Sequence, residues 1–89
     1  MRRIAAHYVF WKKLLPLHYI ELHDNNTLIG VFPLQEEIAG TEFWDGIIYP
    51  VSAEKLTETN IDSLDALKTS GITDTVELGD KVAICQLLT

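Results

Sequence analysis

A polar run at residues 24–27 lies between two apolar segments and favours antiparallel pairing of these two segments. Asn and Asp residues tolerate positive φ angles and hydrogen-bond to their own backbone, so such a run favours a tight reversal of the chain. The flanking segments, residues 17–23 and 28–32, are rich in β-branched, aromatic and other apolar residues, which is typical of strands. The sequence therefore predicts a β-hairpin over residues 17–33.

Four further segments have the composition of strands, namely residues 4–11, 42–51, 75–78 and 82–88. In the first and the last of these, apolar side chains occupy both odd and even positions. Either both faces of those strands are covered, or one face meets a partner. Gly46 allows a β-bulge or a close approach of the backbone within its strand.

One short helix is predicted over about residues 61–70, and residues 52–59 are expected to make a helical turn of their own. Asn60 is a favourable N-cap, Asp62 lies where the helix dipole stabilises negative charge, and Gly71 is placed to end the helix. The apolar stripe of this helix consists of Ile61, Leu64 and Leu67. A stripe of this width indicates a helix that packs on a sheet.

These segments predict one domain, residues 1–89, because 89 residues form a single small core and a hydrophobic content of 47% excludes a disordered chain. Its N-terminal strands lie within residues 4–51, and its C-terminal strands within residues 75–88. We expect a mainly β or α+β fold: a small β-sandwich or partly open barrel of about five to six strands with one short helix.

The positive charges are concentrated at the start of the chain. The net charge is −6, and four of the seven basic residues, Arg2, Arg3, Lys12 and Lys13, precede the first acidic residue, Glu21. An acidic body repels the phosphate backbone, so nucleic acid is not an expected partner. The N-terminal positive charges are expected to keep an edge strand soluble rather than to bind lipid.

Localisation is inferred from the cysteine content and from the absence of targeting patterns. Cys85 is the single cysteine, which excludes an internal disulfide and fits a reducing compartment. The apolar run near the start is interrupted by His7, ends at Lys12 and has no small-residue cleavage site after it, so no export signal is predicted. No segment approaches the ~20 apolar residues needed to span a bilayer. We expect a cytoplasmic protein that does not bind membranes.

The order of the segments resembles the small β-sandwich that flanks the barrel in amidohydrolases, the metal-dependent hydrolases related to dihydroorotases and cytosine deaminases. The first strand (residues 4–10) and the hairpin (19–31) match the start of that sandwich. Residues 43–50, FWDGIIYP, look like the Gly-Ile-Ile-x-Pro-like strand end that enters the barrel. Residues 76–81, VELGDK, followed by the apolar segment 82–88, are similar to the run with which the family's chain returns to the sandwich. The aspartate usual in that run is not found here.

The departure from the family pattern concerns the catalytic part. The resemblance implies a His-x-His metal-binding pair just after the proline, but Pro50 is followed by Val51, Ser52 and Ala53, and no histidine occurs after His23. A (β/α)₈ barrel needs ~250 residues, whereas 25 residues separate Pro50 from Val76. The resemblance thus implies an amidohydrolase-type domain without the barrel, so that a dihydroorotase-like name would describe ancestry and not activity.

The three histidines, His7, His18 and His23, are the candidate metal ligands of this sequence. His18 and His23 are five residues apart, so they face opposite sides of a strand. Glu21 and His23 share one face, and His7 on the first strand could lie across from them. A transition-metal site needs three convergent ligands. Half-exposed strand histidines account for the pattern better, and no metal is predicted.

The other reactive groups have structural explanations. Cys85 lies in an apolar strand, which predicts a buried, inert thiol rather than a nucleophile. The pairs Glu36–Glu37 and Asp62/Asp65 lie in polar segments and predict solvated surface rather than general acid–base chemistry. No phosphate-binding loop, Cys-x-x-Cys or nucleophile elbow is present. We predict no catalytic residue, no enzymatic activity and no cofactor.

All eight aromatic residues lie within the first 49 positions. Core packing is the simplest account, and an exposed patch, which on a small domain indicates a partner surface, is the alternative. The candidate interface residues are Tyr8, Phe10, Trp11 and Trp44. The sequence favours a homodimer formed through strand edges, those of the N-terminal strand and residues 82–88 first, or through the face vacated by the barrel. A module that binds a separate protein is the second hypothesis, and a small enzyme or metal protein is the third.

Overall fold

The structure, a computed structural model, describes residues 1–58 and 61–88. Within them the chain forms five strands, one 3₁₀ helix and one α-helix. The strands are β1 (Arg2–Trp11), β2 (Lys13–Leu22), β3 (Leu28–Pro33), β4 (Thr41–Ser52) and β5 (Val82–Leu87), the 3₁₀ helix is Ala53–Glu58, and the α-helix α1 is Leu64–Ser70. The prediction of a mainly β domain with about five strands and one short helix is confirmed.

The five strands form one mixed sheet in the order β3-β2-β1-β4-β5. β1 and β4 are parallel, and the other neighbouring pairs are antiparallel. The sheet is not closed into a barrel, yet its two edges meet at one end. There Thr27 bridges Lys81, Leu28 N donates to Asp80 O (2.9 Å) and Val82 N donates to Asn26 O (3.0 Å).

The predicted hairpin is confirmed, because β2 and β3 pair from His18↔Pro33 to Leu22↔Leu28. β2 begins earlier than expected, at Lys13, and its first residues pair with β1 alone. Pro16 is therefore tolerated within the strand, since its side toward β3 has no strand neighbour and no ladder hydrogen bond is lost there.

The expectation that the N-terminal strand is an edge strand is wrong, because β1 lies in the middle of the sheet. Its two arginines form ion pairs with the neighbouring strands. Arg2 Nε donates to Glu42 on β4 (2.6 Å), and Arg3 Nε donates to Glu21 on β2 (2.7 Å). The apolar side chains on both faces of this segment reflect a strand covered on both sides, which is one of the two alternatives that the sequence left open.

Gly46 makes the bulge and the close backbone approach that the sequence predicted. The β1–β4 register shifts between Ala6 and Tyr8, opposite the part of β4 that contains Gly46. The φ angle of Gly46 is 80°, and a Cβ atom at this position would lie 2.4 Å from the carbonyl oxygen of Leu87. β4 and β5 approach this closely because position 46 carries no side chain.

The predicted strand at residues 75–78 is wrong, because this segment contains turns and irregular backbone and pairs with no strand. Its backbone groups bond within local turns: Val76 N donates to Thr73 O (3.2 Å), and Glu77 N donates to Asp80 Oδ2 (2.9 Å). Val76 is fully buried, and its carbonyl oxygen accepts a hydrogen bond from Trp11 Nε1 (3.0 Å).

The helix begins three residues later than predicted. Ser63 is extended (φ −150°, ψ 160°), and its hydroxyl accepts a hydrogen bond from Ala66 N (3.1 Å), so Ser63 is the N-cap. The predicted cap, Asn60, lies outside the described residues. Gly71 ends the helix with φ 63°, as predicted. The helical turn expected in residues 52–59 is the 3₁₀ helix.

The core has two parts, one on each face of the sheet, as the alternation along β4 shows. Ile48 belongs to the first cluster, whereas its neighbours Ile47 and Tyr49 belong to the second. The first cluster consists of Ile4, Ala6, Val9, Ile20, Leu22, Leu28, Ile48, Val76 and Val82. The second consists of Phe10, Ile47, Tyr49, Val51, Leu67 and Leu87. Leu67 places α1 against the second face, next to β4 and β5.

Candidate functional site

The second face carries an apolar row that crosses four strands. Phe32 on β3 pairs with Tyr19 on β2, Tyr19 pairs with Ala5 on β1, and Ala5 pairs with Phe43 on β4. Directly paired residues point to the same side of a sheet. Phe32 is 39% exposed and Phe43 is 52% exposed. This part of the second face therefore presents apolar surface to the solvent.

A groove lies over Ala5, at the middle of this row. Ala5 is only 1% exposed, its neighbour Phe43 is open to solvent, and both line the groove together with the loop of residues 34–40. The groove has a volume of about 510 Å³, within the range of small-molecule sites. Leu17, which is 53% exposed, forms a further part of its lining. The carbonyl oxygen of Leu17 accepts a hydrogen bond from Leu34 N (2.8 Å), which joins β2 to the start of the loop.

The rim of the groove is acidic. Glu36 and Glu37 line it, both exposed, and neither takes part in an ion pair among the described residues. The arginines of β1 are already bonded to other carboxylates. One of these bonds, from Arg2, holds the pKa of Glu42 below its usual value. Thr41 also lines the groove, and its buried Oγ1 has no hydrogen-bond partner among the described residues.

The four candidate interface residues differ in exposure. Tyr8 is 42% exposed. Trp11 and Trp44 are half-buried against the first cluster, with the guanidinium of Arg2 5.9 Å from the ring of Trp44. Phe10 is 6% exposed and packs in the second cluster. An interface at these four residues stays a prediction.

Sequence reasoning missed Leu17 and did not separate Phe32 and Phe43 from the other aromatic residues. The aromatic content of the first half was the available signal. It did not distinguish exposed rings from buried ones, because that distinction depends on the register between strands and on which part of the second face α1 covers.

The structure does not bring the three histidines together. The ring of His7 makes an edge-to-face contact with Phe43 (5.1 Å between centroids), and His18 Nδ1 lies 2.9 Å from Pro16 O. His23 lies next to the β2–β3 turn, where its backbone bonds to Thr27 and Asn26. Among residues 1–58 and 61–88, no group of three His, Cys, Asp or Glu side chains is placed to hold a metal ion.

Cys85 is half-buried and faces Tyr49 across the β4–β5 pair. Burial raises the pKa of the Cys85 thiol, and burial together with the neighbouring thiol raises the pKa of Tyr49. The thiol is therefore protonated at neutral pH and is a poor nucleophile. Asp62 and Asp65 are exposed.

The outer edge of β5 has unpaired backbone groups. Lys81 O accepts a hydrogen bond from Ala53 N, on the β4 side, whereas Val82 N points away from β4 to Asn26 O. Backbone direction alternates along a strand, so the N–H and C=O groups of Ile84 and Gln86 point away from β4. No hydrogen bond among the described residues reaches these groups.

The described residues thus offer an open strand edge, an exposed apolar row and a groove with an acidic rim. None of the described helices is long and apolar enough to cross a membrane. Comparison with protein-family models, with curated proteins and with solved structures finds no match to this chain.

Proposed function

We propose that this chain is a non-catalytic, amidohydrolase-type β domain of the cytoplasm that forms a homodimer through the outer edge of β5. The observation that carries the proposal is the unpaired backbone of Ile84 and Gln86. An edge of this kind pairs readily with another strand. Two antiparallel copies of β5 related by a two-fold axis satisfy each other's backbone groups and join the two sheets.

The composition of β5 supports this use of the edge. Strand edges that remain solvated are usually protected by charged residues or proline. β5 has the sequence VAICQL and contains neither. Leu88, which follows the strand, is 69% exposed. Each copy carries a net charge of −6, so the two bodies repel each other, and we expect added salt to strengthen the dimer by screening this repulsion.

The link to amidohydrolases rests on the order of the elements. In the resemblance, the returning C-terminal segment joins the sheet of the N-terminal strands. The pairing of β5 with β4 over Ile47↔Leu87 to Ser52↔Val82 supports this arrangement. The strand that would enter the barrel, β4, leads instead into the 3₁₀ helix Ala53–Glu58. The proposed domain therefore keeps the sandwich part and has no catalytic barrel.

Size-exclusion chromatography with light scattering tests the dimer. We expect a dimer at protein concentrations of about 100 µM, and a monomer for Gln86→Pro, because proline removes an outward N–H and blocks strand pairing. Gln86→Ala is the matched control. It removes the side-chain hydrogen bond to Asp45 O but keeps the backbone N–H, and should remain dimeric. Circular dichroism establishes that both variants are folded. A monomeric wild type, or a dimer unchanged by Gln86→Pro, contradicts the proposal.

The exposed apolar row supports a second candidate function, that of a module that binds a separate protein. Phe32, Tyr19 and Phe43 lie in one row across the sheet, with Ala5 between Tyr19 and Phe43, and Phe32 and Phe43 are exposed. A monomer in light scattering favours this candidate over the homodimer. Stoichiometric zinc or iron in the purified protein would instead contradict both, since neither candidate uses a metal.

A further inference from the structure

We propose that the groove over Ala5 binds a small organic cation, an ammonium group attached to an alkyl or aryl body. This site lies on the second face, at β1, β4 and the loop of residues 34–40. It does not use the outer edge of β5, so the inference goes beyond the proposed dimer and is independent of it.

The walls of the groove match the apolar part of such a ligand. Leu17 and Phe43 are each about half exposed, and they stand on either side of Ala5, the smallest residue of the row. Leu34 and Ile38 add apolar surface from the loop. Small-molecule sites typically combine apolar walls with a few polar groups that fix orientation.

The charges around the groove select a cation. Glu36 and Glu37 are the charged residues of its lining, and neither is paired with a basic side chain among the described residues. Arg2 and Arg3, the basic residues of β1, are bonded to the carboxylates of Glu42 and Glu21. An anionic ligand would meet two carboxylates and no available positive charge, whereas an ammonium group complements both carboxylates.

Thr41 adds an acceptor at the base of the same groove. Its Oγ1 is buried and has no partner among the described residues, which is unfavourable for a hydroxyl group. A small shift of the loop would expose this oxygen to an N–H of the ligand. A hydroxyl group both donates and accepts, so Thr41 Oγ1 suits the N–H of an ammonium group without selecting charge, and the preference for a cation comes from Glu36 and Glu37.

Titration with three probes of similar shape, followed by ¹H–¹⁵N NMR, tests the inference. The probes are 2-phenylethylammonium, 2-phenylethanol and 3-phenylpropionate, which carry positive, zero and negative charge. We expect the cation to shift the amide signals of Ala5, Phe43 and residues 34–41. It should bind about 5- to 10-fold more tightly than the alcohol, as expected for partly screened charge pairs. The anion should be the weakest of the three.

Two charge-removing double variants assign the selectivity to the rim. Glu36→Gln/Glu37→Gln should lower the affinity for the cation to that for the alcohol and leave the alcohol unchanged. The control, Asp62→Asn/Asp65→Asn, removes the same charge from exposed residues that do not line the groove and should keep the preference. Phe43→Ala should weaken all three probes alike.

Three results would overturn the inference. These are equal affinity for cation and anion, a preference that survives Glu36→Gln/Glu37→Gln, and shifts that map away from Ala5, Phe43 and residues 34–41. At about 10 mM the cation exceeds the dissociation constant expected of a ligand this small. The absence of any saturable shift at this concentration would also overturn the inference. None of these results bears on the oligomeric state, which is measured separately.

Discussion

Gly46 is the residue at which the conformation of one position most clearly controls the packing of two strands. Replacement by alanine adds a Cβ atom that would lie 2.4 Å from Leu87 O, in a backbone with φ 80°. We expect Gly46→Ala to lower the free energy of unfolding by about 2–4 kcal/mol, from the strained φ angle and the displacement of β5 together. Urea denaturation measures the loss.

Gly40 provides the matched control for this prediction. Its φ angle is 78°, yet nothing lies within 4 Å of an added Cβ. Gly40→Ala should therefore cost only the conformational part, about 1 kcal/mol. Equal losses in the two variants would contradict the steric part of the account at Gly46.

Two glycines were among the most predictable features of this sequence, whereas the positive φ angles of Lys12 and Leu17 were not predicted. The roles of Gly46 and Gly71 follow from the absence of a side chain and were predicted correctly. The burial of Phe10 was not predictable in the same way. A ring in a strand that is apolar at both odd and even positions faces either a core or a partner, and the choice depends on where α1 packs.

At the scale of the elements, α1 depends on its N-cap because it has only seven residues and a helix this short is not stable alone. We expect Ser63→Ala to lower the free energy of unfolding by about 1 kcal/mol. The hydrogen bond from Ala66 N to Ser63 Oγ is lost in this variant. Thermal or urea denaturation checks the value.

Ser63→Asp is the rescue variant for the same position. Aspartate caps helices as well as serine does, and its charge is favourable at a helix N-terminus. This variant should be as stable as the wild type. Loss of stability in Ser63→Asp equal to that in Ser63→Ala would show that the contribution of Ser63 does not come from capping.

The helices and strands that local sequence signals specify were predicted better than those that depend on long-range pairing. The β2–β3 hairpin and β5 were predicted nearly as they occur, because turn residues and apolar runs mark them. The strand predicted at residues 75–78 was wrong because its backbone groups bond within local turns, from Val76 N to Thr73 O and from Glu77 N to Asp80 Oδ2. The central position of β1 is likewise set by its parallel pairing with β4, a contact that no local pattern specifies.

At the scale of the whole molecule, the candidate site was the least predictable part. The groove combines Ala5, Leu17, Phe43 and the loop of residues 34–40, so it exists only after three strands and a loop have come together. Glu36 and Glu37 were interpreted as solvated surface, which describes their exposure correctly. Their position on the rim of an apolar groove required the fold.

Hydrogen exchange tests two features of the sheet, the bonds that join its two edges at one end and the open edge of β5. Leu28 N, Gly79 N and Val82 N bond across the meeting point of the two edges. These amides should exchange slowly, because opening them separates the hairpin from the C-terminal segment.

Along β5, every second backbone amide should exchange at a rate that depends on protein concentration. The amides of Ile84 and Gln86 point to the open edge, so they should exchange quickly in dilute solution and slowly at concentrations where the dimer forms. The amides of Ala83 and Cys85 point to β4 and should be protected at every concentration, which makes them an internal control. Rates at Ile84 and Gln86 that do not change with concentration would mean that this edge is not the site of self-association.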